Sequence, residues 1–197
     1  GVEEPLRGAG ETGPAGRLWI NKEKGALQFN SAIGFVSPRF DLNDLGFQTR
    51  SDLVNGHLGT GYKWIRGTRF YRYQTLKAAL FATNDRGGTA IGRGVEASGY
   101  TEFRNGHTLN YYATFEAEAY DNRRTRGGPL MLDPRSAAFG VDYLSDTQRR
   151  SYYYVSADAY TGASGSWGVF AYPGMEWKPT AAFHMKVTPG WERVHED

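Results

Sequence analysis

The chain of 197 residues contains no cysteine, which excludes a disulfide scaffold, a thiolate metal site and a cysteine nucleophile. No apolar run approaches the roughly 18 residues a membrane helix needs. The stretch AALFA at 78–82 comes nearest, so a helical membrane protein is excluded. An excess of one charge is also lacking: 23 Lys and Arg against 21 Asp and Glu leave a net charge of +2. Such a balance gives no global attraction for a polyanion, and no nucleic-acid partner is expected.

Catalytic signatures are equally sparse. The four histidines, His57, His107, His184 and His195, fall singly, with no Gly-x-Ser-x-Gly elbow and no His-Glu-x-x-His pair. The glycine-rich stretch at 87–94 does not match a phosphate-binding loop. No catalytic residue, metal or cofactor is therefore expected. The sequence opens at GVEEPL without an initiating Met and closes at GWERVHED, and we expect no leader within it and a piece of a longer protein. The mean hydropathy of -0.58 would argue for a soluble chain, but membrane barrels escape that test because half of each strand faces water.

What the chain has is tyrosine, glycine and alternation. Thirteen Tyr and 26 Gly, with 15% aromatics, suit a strand-rich, turn-rich protein. In TLNYYATFEAEAY at 108–120 the odd positions are Leu, Tyr, Ala, Phe, Ala and Ala. The even ones are Asn, Tyr, Thr, Glu, Glu and Tyr. That is period two, the signature of a strand with one apolar and one wet face. Residues 95–103 and 151–160 repeat it. Their apolar side is rich in Ala, Gly and aromatics instead of large aliphatics, a composition suited to a face turned to lipid.

In chain order, residues 1–16 read as a Gly-, Pro- and Glu-rich linker, and 17–197 as one β-barrel domain. A first hairpin turns at Lys24-Gly25. Strands follow at 54–64, 70–83, 95–103, 108–120, 137–143, 151–160, 167–177 and 181–187, with Arg104-Asn105-Gly106 a strong hairpin signal. Tight turns alternate with connections, two of them long, at 36–50 and 122–136. Aromatics gather near strand ends, as interfacial girdles require. The expected fold is all-β: an antiparallel meander of about ten strands forming part or all of a transmembrane β-barrel.

The long connection at 36–50 carries Ser37, Pro38, Arg39, Phe40, Asp41, Leu42, Asn43, Asp44, Leu45, Gly46 and Phe47, then Arg50, Ser51 and Asp52. This run resembles a bacterial outer-membrane family of unknown function. In that family a C-terminal barrel follows an N-terminal domain similar to family-nine carbohydrate-binding modules. The resemblance implies that this chain is barrel, that the carbohydrate-binding domain lies outside it, and that it belongs in the outer membrane of a Gram-negative-type bacterium.

Candidate sites follow from the inner face. Tyr100, Tyr112, Tyr120, Tyr152, Tyr154 and Tyr160 share a parity with Glu96, Glu102, Glu116 and Glu118. Stacked phenols can make a track for a saccharide, and they can equally fill a lumen. Arg93, Lys77, Lys186 and His184 are possible cross-strand partners for the glutamates. Arg123, Arg124 and Arg126, with Arg135, could clamp phosphates of lipid or another anion through forked donors, or be solvated loop charges. Asp41, Asn43 and Asp44 offer oxygens with Gly46 at the sixth place, but the spacing misses the calcium-loop pattern and turn capping is the better reading. The leading function is envelope transport or surface binding, with membrane lipid and a saccharide as partners. A soluble carbohydrate-binding module and an outer-membrane hydrolase are the alternatives.

Overall fold

A computed structural model describes residues 13–40, 51–121, 125, 129–162 and 165–196. Strands dominate, and no α-helix occurs among the described residues. The strands are β1 (Ala15–Lys22), β2 (Leu27–Val36), β3 (Leu53–Trp64), β4 (Tyr71–Asn84), β5 (Ala90–Phe103), β6 (Thr108–Glu116), β7 (Ala119–Asp121), β8 (Met131–Asp133), β9 (Ser136–Leu144), β10 (Ser151–Thr161), β11 (Trp167–Thr180), β12 (Phe183–Val187) and β13 (Trp191–His195). One antiparallel sheet runs β1-β2-β3-β4-β5-β6-β9-β10-β11-β12, with β13 also on β11. The short pair β7-β8 stands outside it.

The expected meander of about ten strands is therefore present, with three local differences. First, the strand expected over 108–120 stops at Glu116, and Ala119–Asp121 turns away to pair with Met131–Asp133. The second long connection thus carries a hairpin of its own. Second, the turn expected at Lys178-Pro179 falls later, because β11 continues to Thr180 across a register shift between Trp177 and Thr180. Third, β13 was not expected at all. Met175↔Val187 and Ala171↔Trp191 share one register, so β12 and β13 are one strand interrupted at Thr188, Pro189 and Gly190. That register sets Pro189 opposite Pro173, and neither has an N–H to give the ladder. The interruption is the meeting of two prolines.

Period-two parity is kept from strand to strand. Leu58 pairs with Leu80, Leu80 with Val95, Val95 with Phe115 and Phe115 with Ala137. The row continues to Thr161 and Trp167. Directly paired residues share a face, so one slip would have turned a strand inside out. The tight turns are built as the sequence suggests: Gly25 and Gly106 take φ of 89° and 82°, the left-handed region where a side chain is strained. Gly106 N–H also closes on the Phe103 carbonyl at 3.2 Å.

Among the described residues, nothing lies over the apolar face. Leu18, Ile33, Leu80 and Phe139 are 66%, 60%, 58% and 52% exposed, and among the described residues no side chain is fully buried. Ala32 and Ala119 are the buried apolar residues. A soluble sandwich of this size would enclose a layer of large side chains between two sheets, and the described residues form a single layer. Aromatics on this face cluster toward the tight-turn ends: Tyr62 and Trp64 meet edge to face at 4.8 Å, Tyr143 and Tyr153 at 5.9 Å, and Trp177 and Phe183 at 5.8 Å. β1 and the β12-β13 strand are the two ends of the sheet and do not pair with each other.

Candidate functional site

The polar face is built from the alternate residues of the same strands. One register row runs Gln28, Gly61, Lys77, Ser98, Tyr112, Gly140, Asp158, Phe170 and Glu192. Amides, ammonium groups, hydroxyls and carboxylates thus lie side by side because each occupies the same parity of its own strand.

The expected tyrosine row is mostly present. Tyr100, Tyr112, Tyr152, Tyr154 and Tyr160 share the polar face, whereas Tyr120 lies in β7, off the sheet. Three of these rings lie flat on a glycine of the next strand. A Cβ at Gly140 would sit 2.1 Å from the Tyr112 ring, at Gly174 2.2 Å from Tyr154, and at Gly168 2.4 Å from Tyr160. Each glycine is the register partner of its tyrosine, so the ring covers backbone that a side chain would otherwise occupy. This is the aromatic rescue of strand glycines. The hydroxyls are then fixed: Tyr112 donates to Asp158 Oδ1 at 2.9 Å, and Tyr154 shares a hydrogen with Thr188 Oγ1 at 2.5 Å.

The glutamates are arranged differently from expectation. Glu118 lies in the connection after β6, where its backbone carbonyl accepts from Arg93 Nε at 3.1 Å. Glu102 takes Arg72 at 3.5 Å. His184 and Lys186, expected beside those glutamates, instead surround Glu176, a residue the sequence reading passed over. His184 Nε2 is 2.9 Å, Lys178 Nζ 3.3 Å and Lys186 Nζ 3.7 Å from its carboxylate. Its parity, alternating with Gly174 and Lys178, was the available signal.

One recess on this face opens over β1 to β5, away from most of the tyrosines. It has a volume of about 430 Å³ and is lined by the amides of Asn21, Gln28 and Asn30, by His57, by Lys63 and Lys77, and by Glu96. Of the expected ligand residues, Glu96 alone lines it. His57 and Asn30 hydrogen-bond through their side chains. Gln28 Oε1 is enclosed and has no hydrogen-bond partner, an acceptor held out of water without a donor. A second recess of about 270 Å³ holds Tyr100, Asn110 and Tyr112 and shares Lys77 and Ser98 with the first. The two form one polar track. The amides of β1 and β2 were legible as polar alternation, but only the register brings them to His57 and Glu96.

Other expected sites fall partly or wholly beyond view. Ser37, Pro38 and Phe40 are described, and Ser37 N–H donates to the Pro14 carbonyl at 3.0 Å. Asp41, Asn43, Asp44 and Gly46 lie outside the described residues, as do Arg123, Arg124 and Arg126. Among the described residues no three His, Asp or Glu side chains come together to hold a metal.

Fold and face together define a class: a single-layer, antiparallel, amphipathic β-sheet protein with an uncovered apolar side and a hydrogen-bonded polar side. Residues 4–183 match the family described as a domain of unknown function (DUF5916), and the chain belongs to that family. No curated protein matches it, and no solved structure does.

Proposed function

We infer that the chain forms most of the wall of a β-barrel in the outer membrane of a Gram-negative-type bacterium, and that its polar inner face handles a polar solute of the saccharide class in transport or surface binding. The observation that carries this reading is the apolar face, in register over ten strands and, among the described residues, without a large side chain fully buried. In water such a surface would far exceed the few hundred Å² that monomers leave open. In lipid it is the required exterior.

Dimensions agree. Twelve residues of β3 at about 3.4 Å each extend roughly 40 Å, and a tilt of about 45° carries them across roughly 28 Å. The apolar band of an outer-membrane barrel is about 25 Å tall. The saccharide part rests on the track between Asn21 and Tyr112: amides, ammonium groups and an orphaned Gln28 acceptor suit vicinal hydroxyls, which donate and accept at close spacing. A carbohydrate-binding domain preceding the barrel, as the family resemblance implies, would deliver the same class of ligand.

The test is refolding into plain buffer, detergent and liposomes, read by circular dichroism and heat-modifiable gel migration. Folding that depends on amphiphile supports the reading. A monodisperse, folded chain in plain buffer sinks it and leaves the soluble carbohydrate-binding sheet as the account of the same faces.

A further inference from the structure

A second feature lies at the tight-turn end of β10, β11 and β12, apart from the amide-lined track. A recess of about 510 Å³ there is walled by Arg150, Lys178 and His184 together with Pro179, Thr180 and Phe183. Every charged residue on that wall is cationic. The carboxylate that balances them, Glu176, sits beneath and not on the wall; its side chain is 12% exposed against 47% for Lys178, 56% for Lys186 and 52% for His184. One carboxylate thus faces two ammonium groups and an imidazole, with the Arg150 guanidinium beside them. The other acid of the neighbouring turn, Asp146, is taken by Arg149 at 3.4 Å.

The cations are also held in place. Lys178 Nζ lies 5.2 Å from the centre of the Tyr152 ring and Lys186 Nζ 5.4 Å from that of Tyr154. Tyr154 is fixed in turn by Gly174 and Thr188. Lysine normally loses much rotamer freedom when it binds an anion; here ring and carboxylate have already restricted it. An ammonium has three donors, and neither lysine spends all of them on Glu176.

We propose that this recess is a binding site for a phosphate or phosphomonoester group on a soluble ligand, held by Arg150, Lys178 and His184 on its wall, with Lys186, on the other oxygen of the buried Glu176, adding positive charge from beside it. A tetrahedral dianion would take donors from several directions at once, as a surplus of separate ammonium, imidazole and guanidinium groups permits. A soluble source is favoured over lipid phosphate because Glu176 and Lys186 are register partners with the parity of the polar face, while Phe183 on the recess wall packs on Trp177 of the apolar one. The inference depends on the cation cluster and not on what covers the apolar face.

The experiment is calorimetric titration of the chain, in whichever medium gives it folded, with inorganic phosphate and with glucose 6-phosphate. Glucose and sodium chloride are the controls, and vesicles containing phosphatidylglycerol are the lipid probe. Expected are dissociation constants of about 1 mM or tighter for both phosphates, no binding of glucose at this site, and at least a tenfold loss in Lys178→Gln/Lys186→Gln. Glu176→Gln separates a ligand site from a mere ion pair: removing a charge about 4 Å away in water should tighten phosphate about fivefold. Absence of phosphate binding to the folded chain, an unchanged affinity in the double lysine variant, or binding to the anionic vesicles alone would each overturn the proposal. Folding in plain buffer with phosphate bound would remove the barrel and leave this site standing.

Discussion

Leu58→Arg asks most directly what the apolar face touches. Leu58 lies at the middle of β3, 51% exposed, with Ser31 and Leu80 as its register partners. If water surrounds it, replacing a half-exposed Leu by Arg changes stability by within about 0.5 kcal/mol, as surface substitutions do. If lipid surrounds it, Arg near the bilayer midplane costs about 2 to 4 kcal/mol. At 1.4 kcal/mol per decade, that is roughly a 30-fold to 700-fold fall in the folding equilibrium. The control is one residue away: His57→Arg points to the polar face and should cost about 1 kcal/mol, the loss of one hydrogen bond to Asn30. Urea titration of folding into vesicles, followed by the fluorescence of the five tryptophans and by gel migration, measures both. A Leu58→Arg chain that folds into vesicles within 0.5 kcal/mol of the parent would refute the assignment of this face to lipid.

Three further outcomes follow from other parts of the sheet. Gly140→Val should destabilise by about 1 to 3 kcal/mol, since its Cβ meets the Tyr112 ring at 2.1 Å and Asp158 at 2.4 Å; much of the loss should vanish in Tyr112→Ser/Gly140→Val, measured as a double-mutant cycle in urea. Asp85, in the turn after β4, accepts the Thr89 N–H at 2.8 Å, and this bond holds its carboxyl below the ordinary 3.8. Because the folded state favours the ionised form, the stabilisation is complete above pH 3.8 and is lost as pH falls through the lowered value; an acid titration of Asp85→Asn should show a flatter limb than the parent. Pro189→Thr gives the interrupted β12-β13 strand an N–H opposite Pro173, so amide exchange at 187–191 should slow, with about 0.5 to 1.5 kcal/mol of added stability. Unchanged exchange there would place the cause of the interruption elsewhere.

The fold was legible where a strand's own residues decide it. Alternation in Val95, Ala97 and Gly99 against Glu96, Ser98 and Tyr100 needs no partner to be read, and the turns at Gly25 and Gly106 announce themselves by residue type. Pro179 misled, because a proline inside a strand reads as a turn yet here coincides with a register shift. The strand at 191–195 was missed because five residues are too few to show a period. Tyr120 and Glu118 were given the parity of residues 108–116, and the chain leaves the sheet after Glu116, before either of them.

The amino-acid sequence by itself determined which side of each strand is wet and which is apolar, since successive side chains point to opposite faces wherever the strand lies. It determined the meander as well, through short turns that oblige neighbours to pair. Which polar residues meet was decided only by tertiary structure. Register is a relation between two strands, so no single stretch records that Gln28 and Lys77 both border Gly61, or that Tyr112 covers Gly140 and bonds Asp158. Glu176, Lys178, His184 and Lys186 come from two strands joined by a hairpin whose register shift no local pattern foretold. The absence of a covered core is likewise a property of the assembled sheet. Alternation states that a face is apolar, and only the arrangement of all the strands reveals that no other part of the described chain lies against it.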